Sequence, residues 1–297
     1  MGSRYELTAI HENVRVAEKA VVKGIEEIHR IEKLISSWDP QSQTSEINTN
    51  AGNKPVVVDR ELFDLIGRSL KVSELTNGVF DISFGPLGKL WNIENGKQLP
   101  SQQKIDSTRK LVNYKNIILD AANCSVFLSI PGMKIGFGAI GKGYSANRAK
   151  AIMRSLGIKN GMVNAGGDLT TWGHTIENKG WKIGIADPDK KEKYTGWIEV
   201  KNVSVVTSGN YEKFIEIDGK KYTHIIDPRT GYPSEGVKSV TIISPDAELS
   251  DALATSVFIL GVGEGLKLIS KLKNVECLII DEKNQFWQSK GMKLNFY

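Results

Sequence analysis

His224, Asp251 and Thr255 are the residues of this chain whose types and spacing could do chemistry. A histidine titrates near neutral pH and can take up or release a proton there. His224 stands in Thr223-His224-Ile225-Ile226-Asp227-Pro228-Arg229-Thr230-Gly231, a strand-like run that enters an Asp-Pro turn. Asp251 and Thr255 fall at i and i+4 of the apolar run Ser250-Asp251-Ala252-Leu253-Ala254-Thr255. On a helix that spacing shares one face, so a carboxylate and a hydroxyl can point at one ion. Oxygen ligands of this kind suit magnesium or calcium better than zinc. A salt-bridged histidine beside an ordinary buried helix explains the same residues equally well at this point.

A second chemical signal is Gly136-Phe137-Gly138-Ala139-Ile140-Gly141-Lys142-Gly143. Its glycines spell G-x-G-x-x-G, and Gly136, Gly141 and Lys142 nearly spell a P-loop. The P-loop fails where Gly143 replaces the Ser or Thr that holds magnesium. The dinucleotide fingerprint fails on context, because the next strand runs into Asn164-Ala165-Gly166-Gly167-Asp168, a tight turn, where an acid at a strand end is required. The shared physics survives: glycines admit a ligand close to the backbone, and a following helix offers free N–H groups to phosphate. A glycine-rich turn built for packing is the competing explanation.

The elements that must position these residues are mixed. Val14, Ala17, Val21, Ile25, Ile28, Ile31 and Ile35 predict an amphipathic helix over 11–35, which takes in His11 and His29, while His174 falls in a turn. Residues 36–53 read as an ordered loop. Asp59 is placed to cap a helix carrying Leu62, Leu65, Ile66 and Leu70, stopped by Gly78. Short strands follow at roughly 117–130, 161–165, 181–186, 198–206, 212–217, 222–226, 238–244 and 275–281. Helices are expected at 144–156, 251–260 and 264–272. Without strict βαβ alternation, this order predicts an α+β fold with mixed, largely antiparallel sheets and flanking helices. No repeat or linker divides residues 1–297, so a single domain is expected.

The 297 residues suffice for a full core, and 40% apolar with 25% charged residues is a globular composition. A net charge of +5 without a Lys/Arg block excludes a nucleic-acid footprint. Cys124 and Cys277 form no metal or redox pattern and read as buried free thiols. No run approaches the length of a membrane span. A charged, apolar leader is missing from the opening residues, which fits either a cytosolic protein or an export signal lying upstream of them.

Seven blocks, in order, resemble the ApbE-type FAD:protein FMN transferase family. They are Met1-Gly2-Ser3; Ser37-Trp38-Asp39-Pro40 with Ser42, Ser45 and Asn48; and Thr76-Asn77-Gly78-Val79-Phe80-Asp81 with Gly85-Pro86-Leu87 and Trp91. Ala139-Ile140-Gly141-Lys142-Gly143-Tyr144, Thr207-Ser208-Gly209-Asn210-Tyr211, His224 to Gly231 and Ser250 to Thr255 complete the series. The resemblance implies cleavage of the FAD pyrophosphate with Mg2+ and attachment of FMN, by a phosphoester, to a Thr or Ser of a target protein, releasing AMP. FAD pyrophosphatase activity, or FAD binding without turnover, are the alternatives.

Carried over by resemblance, the metal ligands are the Ala139 carbonyl, Asp251 and Thr255. Flavin contacts fall on Met1, Trp38, Val79, Phe80, Asp81, Lys142 and the main chain near Ile225. His224 becomes the base for the acceptor hydroxyl, Asp227 orients the site, and Asp251 serves the chemistry through the ion. Each has a plainer role open to it: Trp38 covering core, Asp81 capping a turn, Phe80 in the core. Two positions depart from the family: Gly136 stands where Asp is frequent, and Asn210 where Asp follows Ser-Gly. The implied partner is an acceptor protein with a Thr/Ser motif, such as a subunit of a membrane redox complex. The implied location is the periplasmic face of the cytoplasmic membrane, held by an N-terminal lipid anchor.

Overall fold

Two periodicities, one of strands and one of helices, alternate irregularly along the chain and generate its elements in the computed structural model, which describes residues 3–93, 98–190, 192–211 and 213–296. Strand β1 (Tyr5–Ile10) leads into α1 (Val14–Ile35), α2 (Gln43–Thr49), β2 (Val56–Val57) and α3 (Arg60–Leu75). Next come α4 (Gly85–Trp91), α5 (Gln102–Arg109), β3 (Ile117–Asp120), β4 (Ser125–Leu128) and α6 (Gly141–Ser155). A run of strands follows: β5 (Asn160–Ala165), β6 (Asp168–Trp172), β7 (Trp181–Ala186), β8 (Tyr194–Val200) and β9 (Ser204–Gly209). The chain closes with β10 (Phe214–Ile217), β11 (Lys220–Thr223), β12 (Val237–Ser244), α7 (Ala247–Ile269), β13 (Glu276–Asp281), β14 (Phe286–Gln288) and β15 (Asn295–Phe296). The fold is α+β, as the sequence predicts.

Contacts divide the chain into two compact units. One comprises residues 1–32, 139–209 and 236–297. Its main sheet has the order β1-β5-β6-β9-β12-β13-β14, with every pairing antiparallel. A smaller sheet, β15-β8-β7, completes it. Helix α6 packs on β5, β6 and α7, and α7 packs on β9, β12 and β13. Ala146, Ala149 and Met153 of α6 meet Val163, Ala165 and Trp172 of the sheet in one apolar cluster. Helix α7 is long and apolar enough to cross a bilayer, with mean hydropathy 1.6. Instead its Ala252, Leu253, Ala254, Val257 and Phe258 are wholly buried, so it is a core helix.

The other unit comprises residues 33–138 and 210–235. It holds α2 to α5, the antiparallel sheet β2-β4-β3 and the β10-β11 hairpin. Leu87, Trp91, Ile93, Ile105 and Ile226 form an apolar cluster there. The Trp91 indole N–H donates to the Gly231 carbonyl at 2.7 Å, tying the Asp-Pro-Arg-Thr-Gly turn to that core.

Several expectations need correction. The first helix starts at Val14, with the Asn13 side chain accepting the Arg15 N–H, so His11 lies outside it. Residues 36–53 contain a true helix, α2, whose N-cap Ser42 accepts the Ser45 N–H. Asp59 precedes α3 without a capping hydrogen bond from its side chain. The run 117–130 is a hairpin, with Cys124 half-buried in its turn at φ +50°. The run 198–206 is two strands in two sheets, because Asn202 turns the chain at φ +57°. The two helices expected over 251–272 are continuous apart from a break at Gly261, φ +74°.

Candidate active site

Asp251 lies on the first turns of α7, a helix whose N-cap Asp246 accepts the Leu249 N–H. The Asp251 side chain is buried at 3% exposure, and Thr255 follows one turn later on the same face. The Ile140 N-cap of α6 supplies no side-chain acceptor. Asp251 fills that role from another helix, its Oδ2 accepting the Gly143 N–H at 3.0 Å. A carboxylate at a helix N-terminus satisfies orphan amides and meets the positive end of the helix dipole. Burial pushes the Asp251 carboxyl up from its ordinary pKa, opposed by the Lys142 charge and by the Gly143 and Lys142 amides.

Gly143 makes this approach possible. A Cβ there would lie 2.9 Å from the Asp251 Cβ and would collide with the Ala247 carbonyl. Beside it, the Lys142 ammonium lies 2.8 Å from Asp168 Oδ2. Tyr5 and Ser145 share a hydrogen bond of 2.9 Å, and Ser145 Oγ donates to the Lys142 carbonyl. Burial pushes the Tyr5 phenol up, with Ser145 opposing. The Thr255 hydroxyl is 3.4 Å from Ser208 Oγ on β9. Ala139 is half-buried two residues before α6. Ala139, Lys142, Asp251 and Thr255 therefore belong to one unit, around the start of α6.

Those oxygens fit magnesium by the chemistry of the donors. Among the described residues no group of three or more His, Cys, Asp or Glu could hold a metal. A carboxylate, a hydroxyl and a main-chain carbonyl remain, a hard and incomplete set of the kind Mg2+ fills out with water and phosphate oxygens. A cation beside Asp251 would also offset the desolvation that otherwise favours its protonated form.

In the other unit, His224 immediately follows β11. Its Nδ1 pairs with the Lys213 carbonyl at 3.0 Å. A carbonyl only accepts, so Nδ1 is the donor, and the neutral ring carries its lone pair on Nε2. Asp227 does not orient that ring through its own hydrogen bonds. Its carboxylate is gripped by the Arg229 guanidinium, at 2.7 Å from Nη2 and 3.0 Å from Nε, and accepts the Arg229 N–H at 2.8 Å. The carboxylate thus closes the turn after His224. Ile225 is buried, so only its main chain is available to a ligand.

Val79 and Phe80 are core side chains, each 2% exposed, and can likewise offer a ligand only main chain. Asp81 is buried too. Its Oδ1 accepts from Ser83 N–H and Oγ–H, and its Oδ2 from the Tyr114 N–H. Burial pushes its carboxyl up, against those three bonds. Asn77, Asp81, Tyr114 and Arg229 line an open cleft of about 190 Å³. Trp38 is 93% exposed, which rules out covering the core. A Cβ at Gly136 would meet only Ser37 Oγ, at 3.7 Å, so the fold leaves room there for a side chain. Met1 lies outside the described residues.

The sequence reading missed Asp168, Ser208, Tyr114 and Arg229 as members of these clusters. For Asp168 a signal existed. Two glycines joining two strands make a tight hairpin, which puts Asp168 opposite the buried Ala165. The dinucleotide-binding reading is excluded, because β5 pairs antiparallel on both sides and no βαβ unit exists around Gly136 to Gly141.

The ApbE family profile matches residues 1–279. A FAD:protein FMN transferase of Klebsiella pneumoniae is 35% identical over 272 residues, covering 91% of this chain and 84% of that protein. One from Treponema pallidum is 32% identical over 277 residues, covering 88% and 76%. The crystal structure of the ApbE protein from Thermotoga maritima superposes with a TM-score of 0.91 at 33% identity, covering 97% of this chain and 94% of that one. The flavin transferase ApbE from Vibrio cholerae shares the fold, with a TM-score of 0.86 at 24% identity over 98% of this chain and 94% of that one. Agreement over nearly the whole length, in sequence and in backbone alike, makes this chain a member of the ApbE family.

Proposed function

We propose that this protein is a magnesium-dependent FAD:protein FMN transferase, moving the FMN moiety of FAD onto a Thr or Ser hydroxyl of a target protein. The observation that carries the reading is the buried Asp251 carboxylate at the amide end of α6, one helical turn from the Thr255 hydroxyl. The names of the relatives support the reaction class. In this reading Asp251, Thr255 and the Ala139 carbonyl hold Mg2+, and Lys142 faces a phosphate of FAD. The ion, when bound, neutralises pyrophosphate charge. Trp38 stacks on the flavin ring, while the main chain at Val79, Phe80 and Ile225, together with Met1 and Asp81, borders it. His224 Nε2 takes the proton of the acceptor hydroxyl, whose oxygen bonds to the FMN phosphorus as the bond to AMP breaks. Asp227 keeps the turn after His224 closed through Arg229.

The test is incubation with FAD, Mg2+ and an acceptor peptide carrying a Thr motif. Fluorescent peptide with AMP release is the expected result. Free FMN and AMP without labelled peptide would make the protein an FAD pyrophosphatase, and intact FAD a binding protein. Asp251→Ala is expected to lower AMP release by roughly a hundredfold or more while FAD still binds. His224→Ala at the wild-type transfer rate would remove His224 from the reaction.

The single-domain reading of residues 1–297 belongs to this proposal, as does the acceptor, a subunit of a membrane redox complex. So does a location on the periplasmic face of the cytoplasmic membrane with a lipid anchor. Fractionation of cells expressing the full gene tests the location.

A further inference from the structure

Lys142 and Gly143 engage two different buried carboxylates from adjacent positions. The Lys142 side chain takes Asp168 at 2.8 Å, and the Gly143 main chain takes Asp251 at 3.0 Å. Asp168 is wholly buried and cannot wander. A two-residue turn, Gly166-Gly167 at φ +63° and +101°, sets it opposite Ala165 in the β5-β6 hairpin. Both conformations belong to the left-handed half of the map that glycine reaches without strain. The Asn164 side chain accepts the Gly167 N–H at 2.8 Å, and Gly166 N–H donates to the Arg4 carbonyl next to β1. The hairpin that carries this carboxylate is therefore fixed by hydrogen bonds across three strands.

The two carboxylates and one ammonium compete for each other. The Lys142 charge already acts on Asp251. A lysine ammonium is a compact charge on a flexible stem, free to choose between acceptors in reach. On Asp251 it would occupy the oxygens that a divalent cation needs. Held by Asp168, it leaves a cluster of net negative charge around Asp251, which favours a cation. Lys142 then remains one-fifth exposed, open to an anionic group.

Resting on the functional reading above, we propose that Asp168 is a positioning residue that holds the Lys142 ammonium off Asp251, keeping Asp251 free for a divalent cation. Direct Mn2+ titration, followed by the electron paramagnetic resonance of free Mn2+, reads this without turnover. Asp168→Asn is expected to weaken Mn2+ binding roughly ten- to a hundredfold, as for other residues that orient metal ligands. Asp168→Asn combined with Lys142→Met removes the competing ammonium and is expected to bring Mn2+ affinity back to within about threefold of wild type. The double variant leaves no lysine without its carboxylate partner, and Asp251 keeps its Gly143 amide, so its outcome decides the question even if the single variant fails to fold. Unchanged affinity in Asp168→Asn, or a double variant that binds as poorly as Asp168→Asn or not at all, overturns this inference alone. A wild-type protein that binds no Mn2+ overturns the metal reading and this inference together.

Discussion

At the scale of single residues, burial separates side chains that can meet a ligand from those that cannot. Trp38 is an indole in water with almost nothing covering it. A large aromatic left so exposed gains little for folding, and the proposed function gives it a flat partner to stack on. Trp38→Ala is therefore expected to change unfolding free energy by less than about 0.5 kcal/mol. The same change should weaken FAD binding by roughly tenfold or more, since aromatic stacking on a ring system contributes about 1–3 kcal/mol. Fluorescence titration of FAD and urea melts measure the two effects. Equal FAD affinity in wild type and variant would remove Trp38 from the flavin site. Val79 and Phe80 are the opposite case. Their motif was legible in the sequence, yet their side chains belong to the core, and substituting them reports on stability before it reports on ligand.

At the scale of elements, the approach of α6 to α7 is set by one missing side chain. Gly143 lets its N–H reach Asp251, and a methyl there would meet the Ala247 carbonyl and the Asp251 Cβ. Gly143→Ala should push the helices apart, costing about 1–3 kcal/mol by overpacking. It should also weaken Mn2+ binding, because Asp251 loses its amide partner. Urea denaturation of the variant measures the loss, which reports crowding because alanine has the higher helix propensity. A fully stable Gly143→Ala would show that α6 shifts freely. Spacing identified both helices but began them late, at 144 and 251, where the structure begins α6 at Gly141 and α7 at Ala247. Spacing could not show that the acceptor capping α6 sits on α7, more than a hundred residues away.

At the scale of the whole molecule, pH dependence of stability follows from which carboxylates are paired. Glu27 on α1 is held below its ordinary pKa by its hydrogen bonds to Arg30 and, against the opposing effect of burial, to Arg148 on α6. A lowered carboxyl pKa stabilises the fold above the ordinary glutamate value and loses that contribution as pH falls through the folded value. Glu27→Gln should cost about 1.5 kcal/mol near pH 7. The gap to wild type should close below roughly pH 4. Urea melts between pH 3 and 7 measure it, and a gap independent of pH would mean that Glu27 acts only by packing. Asp81 has the opposite sign. Its raised pKa stabilises the fold below the ordinary aspartate value, and that contribution is lost as pH rises through the folded value. The two effects partly offset each other across the acid range.

By itself the sequence determined what repeats over a few residues: the shared face of Asp251 and Thr255, the turn after His224, the mixed order of helices and strands, and the blocks that resemble the ApbE family. A helix brings every fourth residue round to one face whatever surrounds it, so that information is local. Only the tertiary structure decided that Asp251 caps α6, that Lys142 pairs with Asp168, that Asp227 serves Arg229, and that Trp38 stands in solvent. The pairings of Asp251 and of Lys142 follow from the strand order β1-β5-β6-β9-β12 of their unit, which joins segments far apart in the chain. Burying apolar faces against one another sets that order, and no short window of sequence encodes which faces will meet.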